Sequence, residues 1–355
     1  MKIIISFPIF SQGGAEKAAQ LYLSNLQKKH EVTLIANENL IYKFEKFVQL
    51  NKAKNSYINH LKILYKTIRQ FQPDSIITFK GHIISVTFIF LIRAIQRHKF
   101  TIIMRESNDI VGYSNFEIKS KIKNFIFFKI LKKIPAMLCD FVICNSVGSK
   151  KNFCKALNIY DNKVKAIFNP TNFIREEKYK WHEKDYDLIF LGRLEGQKDP
   201  YLFIETVKNI SKLKPDIKAI IVGDGSLKNK LKQLIKSYNL EMNVRFVKFS
   251  DKNKRIFLQK SKIFVLTSQY EGMPNVILEA LAHGCEVLSL NIYSGPNEIL
   301  PQRFIVKHRD PYEIGEKIHL LLNQRIAKIK TKEVLSIKEM FSFNTFSYKI
   351  HKILQ

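Results

Sequence analysis

Cysteine is scarce and unpatterned in this chain. Cys139, Cys144, Cys154 and Cys285 show neither C-x-x-C spacing nor a neighbouring histidine cluster. That argues against a zinc site or a disulfide framework and for a reducing compartment. Long apolar runs are missing too: the longest, Ile83 to Ile92, has ten residues before Arg93, against the about 20 needed to cross a bilayer. The opening run from Lys2 is too short for a signal peptide and is broken by Pro8, so it reads as a first strand and predicts a cytoplasmic location. Short-period repeats and low-complexity segments are absent. Acid is in deficit, with 31 Asp and Glu against 59 Lys and Arg and a formal net charge of +28. Such an excess fits either solvated lysine-rich faces or a basic face for phosphates, nucleic acid or an anionic membrane.

What is present is ample core material. At 355 residues and 46% hydrophobic composition, the chain excludes disorder and predicts two domains. Lys2 to Phe7 is a β-branched run; Gly13 and Gly14 follow, and Ala15, Ala18, Ala19, Tyr22, Leu23 and Leu26 recur at helical spacing before a strand from Val32 to Ala36. Further strands read at Ser75 to Phe79, Thr101 to Met104 and Phe141 to Asn145. The pattern lapses between Asn169 and Lys184, where a linker is expected. A second alternating series follows, with strands at Asp187 to Leu191, Ile217 to Val222, Val244 to Phe249, Ile263 to Leu266 and Glu286 to Leu290. Two doubly wound α/β parallel sheets are the expected result.

In such sheets ligands bind beyond the carboxyl ends of the strands. Gly13-Gly14-Ala15-Glu16-Lys17 opens a helix directly after the first strand, which suits an anion as well as any short turn. It lacks the three-glycine dinucleotide fingerprint. Gly192-Arg193-Leu194-Glu195-Gly196-Gln197-Lys198 places two cations beyond a strand end, either for a departing diphosphate or as solvated surface charge. The third loop is Tyr270-Glu271-Gly272-Met273-Pro274-Asn275-Val276, running into a helix that carries Glu279 and ends before Gly284. Backbone N–H groups around Asn275 and Val276 suit phosphate, and the two carboxylates suit sugar and ribose hydroxyls.

On these residues, together with the Gly223-Asp224-Gly225 turn and the Glu-x7-Glu spacing of Glu271 and Glu279, nearly the whole chain resembles the family 4 retaining glycosyltransferases. The resemblance implies the GT-B fold: two Rossmann-like doubly wound parallel-sheet domains facing across a cleft. It sets an acceptor domain over 1–172, completed by a terminal helix over 340–355, and a nucleotide-sugar donor domain over 183–339. It implies transfer of a hexose or N-acetylhexosamine from a UDP-sugar to a glycan or lipid-linked saccharide, with retention, in surface polysaccharide synthesis, without metal or cofactor. Catalytic roles carry over to Glu271, Arg193 and Lys198. Donor contacts carry over to Gly14, Gly192, Arg193, Lys198, Gly272, Met273, Pro274, Asn275, Val276 and Glu279, and acceptor contacts to Gly13, Arg105 and Glu106. The Met104-Arg105-Glu106-Ser107-Asn108 loop departs from the family pattern, with Ser107 where many relatives carry a histidine. Ser294-Gly295-Pro296-Asn297-Glu298-Ile299 is similar to a loop of relatives using UDP-linked galactose-type or N-acetylated hexoses.

Lys119 to Ile134 mixes Phe and Ile with lysine, in the manner either of a helix lying in a membrane interface or of one burying an apolar stripe. Peripheral contact with the inner face of an anionic membrane is therefore expected. A nucleic-acid-binding protein is the alternative suggested by charge; neither an aromatic and basic RNA-binding motif nor a groove-binding basic helix is present, so no nucleic-acid partner is expected. A sugar-nucleotide epimerase or phosphorylase is the rival within the same fold. Asp185-Tyr186-Asp187 superficially matches a metal-binding Asp-x-Asp but precedes a strand instead of following one.

Overall fold

The computed structural model describes residues 1–7, 14–36, 47–49, 57–79, 82–96, 98–171, 173–292 and 294–355; Gly13 lies outside them. The chain divides into two compact units, Met1–Thr171 with Phe341–Gln355, and Asn172–Met340.

The first unit holds β1 (Lys2–Phe7), β2 (Glu31–Ala36), β3 (Phe47–Gln49), β4 (Ser75–Phe79), β5 (Thr101–Glu106), β6 (Phe141–Cys144) and β7 (Val164–Ala166). They form one parallel sheet in the order β3-β2-β1-β4-β5-β6-β7. Its strands read as continuous apolar runs because both faces are covered. Ile4 packs with Leu64, Ile76 and Val86 on one face, and Ile3 and Ile5 pack with Ala19, Tyr22 and Leu26 on the other. The last helix, Phe343–Leu354, closes that second face, with Phe346 edge-on to Tyr22 at 4.7 Å between ring centroids. Ser342 caps it by accepting the Thr345 N–H.

The second unit holds β8 (Tyr186–Leu191), β9 (Ala219–Val222), β10 (Val244–Val247), β11 (Ser261–Leu266), β12 (Glu286–Leu290) and β13 (Ile305–Val306), again parallel, in the order β10-β9-β8-β11-β12-β13. In each sheet the strand order reverses beside the first strand, between β1 and β4 and between β8 and β11. The sequence reading differs at the short strands: β3, β7 and β13 have only two or three residues, too few to show a period, and β10 stops at Val247, two residues before Phe249.

Two histidines are buried in the first unit. His60, on the helix Tyr57–Phe71, meets the Ser6 hydroxyl at 2.8 Å, and His82 opens the helix His82–Ile95. Burial pulls both down from 6.5 to about 4, although Glu106 beside His82 acts in the opposite sense. The unfolded chain therefore binds more protons between these values, and linkage makes stability fall as pH drops below 6.5, with the loss complete below about 4. For the pair the loss is on the order of several kcal/mol. Chemical denaturation across this interval checks it: the midpoint falls with pH, and the slope flattens in a His60→Gln, His82→Gln variant. A midpoint independent of pH contradicts the assignment.

Candidate active site

The loops after β8 and β11 lie side by side, because these strands are neighbours at the reversal of strand order in the second sheet. Such reversals open a crevice at the carboxyl ends of the strands. Here the structure brings Lys198 and Glu271 together: the ammonium donates to Glu271 Oε1, which also accepts the Ser268 hydroxyl at 2.7 Å. Both side chains are largely enclosed. Arg193 is exposed and joins this group through Gln197, to which it donates at 3.0 Å. Gln197 in turn donates to the Tyr270 carbonyl at 3.2 Å and accepts from the Gln269 N–H at 2.7 Å.

Several backbone contacts fix this loop pair. Asp199 adopts a left-handed φ of 45° and caps the helix Pro200–Ser211 through the Leu202 N–H. The Thr267 hydroxyl donates its one proton between the Lys198 and Asp199 carbonyls, which lie at 3.0 and 2.9 Å. Ser294 donates to the Glu271 carbonyl at 2.7 Å and lies 3.1 Å from that of Gly272. Gly295, at φ +95°, packs so closely on Pro274 that any Cβ would collide with its ring. Met273 is buried behind them. The turn after β9 is stitched on as well: Leu194 donates to the Asp224 carbonyl at 2.9 Å, Ser226 donates to Glu195, and a Cβ on Gly223 would strike the Gly192 carbonyl.

Glu279 has an ion-pair partner of its own. It lies on the helix Asn275–Ala282 and bonds Lys254 at 3.0 Å. Burial opposes the Lys254 charge, and Glu279 with Asp251 outweighs it, raising Lys254 above the usual ammonium value. Asn275 sends its N–H to the Met273 carbonyl at 3.0 Å, so that donor is occupied, while Val276 sits half-buried in the first turn. Asp185 and Asp187, at the opposite end of β8, pair with Lys260 at 2.7 Å and Lys262 at 2.8 Å.

In the first unit, Gly14 opens the helix Gly14–Leu26. Arg105 is 1% exposed, and all three of its guanidinium nitrogens are engaged, by the Tyr22 hydroxyl, the Glu106 main-chain carbonyl and Asn169. These partners all lie within the first unit, and none of them is the Glu106 carboxylate. That carboxylate, at the carboxyl end of β5, binds Lys132 at 2.5 Å, with His82 at 4.0 Å. Burial pushes its carboxyl up; Lys132 and then His82 outweigh that and hold it below the usual value.

Sequence reasoning missed Lys132, Lys254, Ser268 and Arg309. Arg309 is the largest omission: it donates to Asp199 Oδ2 at 2.6 Å and to the Ser268 and Thr267 carbonyls at 2.9 and 2.8 Å. Only three-dimensional proximity links it to residues over forty positions earlier, so no local signal could have found it.

Residues 172–336 match the family described as Glycosyl transferases group 1. An uncharacterized glycosyltransferase of Methanocaldococcus jannaschii is 32% identical over 297 residues, 78% of this chain and 72% of that protein. The GalNAc-alpha-(1->4)-GalNAc-alpha-(1->3)-diNAcBac-PP-undecaprenol alpha-1,4-N-acetyl-D-galactosaminyltransferase of Campylobacter jejuni is 27% identical over 343 residues, 91% of this chain and 89% of that one. Among solved structures, Anabaena HepE in complex with UDP and glucose superposes with a TM-score of 0.79 at 18% identity, covering 100% of this chain and 99% of that one. The lipopolysaccharide outer core galactosyltransferase WaaB superposes at 0.74 with 17% identity, covering 99% and 100%. These likenesses establish the GT-B fold.

Arg309→Ala removes the brace between the loops after β8 and β11 and leaves Asp199 with one partner fewer. The expected loss is about 2 kcal/mol of stability, read as a lower urea midpoint at unchanged slope. A midpoint equal to wild type contradicts the bracing role.

Proposed function

Because the chain belongs to the group 1 glycosyl transferases, we propose that it moves a hexose or N-acetylhexosamine from a UDP-sugar to a glycan or lipid-linked saccharide, with retention, in surface polysaccharide synthesis. The observation that carries this reading is the Lys198–Glu271 pair at the reversal between β8 and β11. A cation and a carboxylate one bond apart suit the two halves of a sugar diphosphate: the ammonium neutralises the phosphate, and the carboxylate accepts from sugar hydroxyls. Arg193 adds a second, exposed cation on the same loop. Gly192, Gly272, Met273, Pro274, Asn275 and Val276 form the backbone around the diphosphate, a donor contact is assigned to Gly14 at the start of the helix after β1, and Glu279 takes the ribose. UDP bound to the Anabaena structure and the undecaprenol-linked acceptor named for the Campylobacter relative support the donor and acceptor classes.

In this reading the acceptor hydroxyl attacks the anomeric carbon on the face the diphosphate leaves. The new glycosidic bond forms as the bond to phosphate breaks, the electron pair departs with the phosphate oxygen, and that oxygen takes the acceptor proton. Lys198 and Arg193 stabilise the charge gathering on the diphosphate, so metal and cofactor have no assigned step. Glu106 serves the acceptor in the first unit. A lipid-linked acceptor puts the enzyme at the inner face of the cell membrane.

Nucleotide sugars scored for protection against thermal unfolding identify the donor, because a ligand bound only by the folded state raises its stability by mass action. UDP-sugars protect. Glu279→Ala weakens UDP binding about tenfold, the value of one or two lost hydrogen bonds. Glu271→Gln leaves binding within a few-fold and lowers kcat by about 100-fold or more. Protection by no nucleotide sugar, or wild-type behaviour of both variants, overturns the reading. Inversion at the anomeric carbon, followed by NMR, overturns retention alone.

A further inference from the structure

Residues 121–138 form an uninterrupted helical stretch in the first unit, Lys121–Ile126, a π-helical turn Phe127–Lys133, and Ile134–Leu138. Pro135 has no N–H to return to the carbonyl four residues back, and its ring would strike that carbonyl; the wider π turn ahead of it opens the ladder there. One side of the stretch joins the core through Phe127, Pro135 and Ala136. The other side does not look like the surface of a monomer in water. Ile122 is 73% exposed, Phe125 and Met137 are each 62% exposed, and Ile130 and Leu131 are also exposed.

Around these side chains stand six lysines, and no acid occurs between Glu117 and Asp140. Lys119, Lys121, Lys123 and Lys129 are exposed, and none of them forms an ion pair among the described residues. Lysine stems lie along apolar surface while their heads stay wet. An apolar face ringed by unpaired lysines marks an interaction site, and its chemistry fits a surface that is apolar beneath and anionic above.

We infer that this face is a docking surface for an anionic phospholipid bilayer, with Ile122, Phe125, Ile130, Leu131 and Met137 entering the acyl boundary and Lys119, Lys121, Lys123 and Lys129 meeting the headgroups. The inference deepens the proposed reading, since a lipid-linked acceptor lies at such a surface. The π turn that presents Ile130 and Leu131 outward sends Lys132 inward to the Glu106 carboxylate at 2.5 Å. One seven-residue turn thus supplies part of the exposed face, Ile130 and Leu131, and also the cation for the carboxylate assigned to the acceptor. Lys132 is therefore not a lipid contact, in contrast to its neighbours.

The test is sedimentation of the full chain with vesicles of phosphatidylcholine and phosphatidylglycerol, against phosphatidylcholine alone. The wild-type chain sediments with the mixed vesicles, less so in high salt. Replacing Lys119, Lys121, Lys123 and Lys129 by Glu lowers partitioning by roughly two orders of magnitude or more. Ile122→Ser with Phe125→Ser lowers it with the charge intact, which separates insertion from general attraction of a basic protein. All six substituted side chains are exposed, so both variants fold, and UDP protection without vesicles stays at the wild-type level. Equal sedimentation of wild type and either variant overturns the inference, as does a face that instead holds two copies of the chain together with vesicle binding unchanged. Loss of UDP protection in the wild type strikes the catalytic reading and leaves the docking surface standing.

Discussion

An ammonium group and a carboxylate largely withdrawn from water must satisfy one another and also find further partners, and this requirement organises the loops of the second unit. Removing one member of an enclosed ion pair leaves the other stranded, at a cost of about 3–5 kcal/mol. Around Lys198 and Glu271 the structure answers with layers: Ser268 on the carboxylate, Arg309 on the Ser268 carbonyl and on Asp199, and Thr267 on the carbonyls of Lys198 and Asp199. Each loop is therefore held by the other, and neither Lys198 nor Glu271 is free to swing independently. Such pre-positioning lets a charged pair act on a substrate without reorganising when charge develops.

The first unit solves a related problem differently. Glu106 is buried at the carboxyl end of β5 and needs a cation, yet none arrives from its own strand, because Arg105 points to the opposite face and is consumed by Tyr22 and Asn169. The cation comes instead from Lys132, on a π turn whose extra residue alters the register of the helix. His82 beside them is kept neutral mainly by burial, so the carboxylate faces one full positive charge.

How much of this can be read from sequence follows from the range of each interaction. Ile3, Ile4 and Ile5 announce a strand buried on both faces because side-chain alternation is local. Loops beyond strand ends are equally visible, since Gly223 and Gly295 sit where a Cβ has no room. Pairings are another matter. Lys198 and Glu271 are 73 residues apart, and Lys254 and Glu279 are 25 apart; nothing in either segment says which lysine, in a chain with so many, will meet which acid. Lys132 illustrates the point. In sequence it is one of six lysines in a basic apolar stretch, and only the π turn shows that it turns inward.

The same distinction resolves the charge excess into parts. Lys260 and Lys262 neutralise Asp185 and Asp187 at the far end of β8, and Lys214 also serves Asp187 and Asp216; these lysines are absorbed by local acids and have no reach toward a partner. Total charge thus says little about what the protein touches. Between Glu117 and Asp140 the supply of acid stops while exposed aromatic and aliphatic side chains continue. A solvated basic face has no use for Phe125 in water, and a buried helix has no use for four exposed lysines. A surface with an apolar interior and an anionic skin, as inferred above, suits both sets of side chains at once.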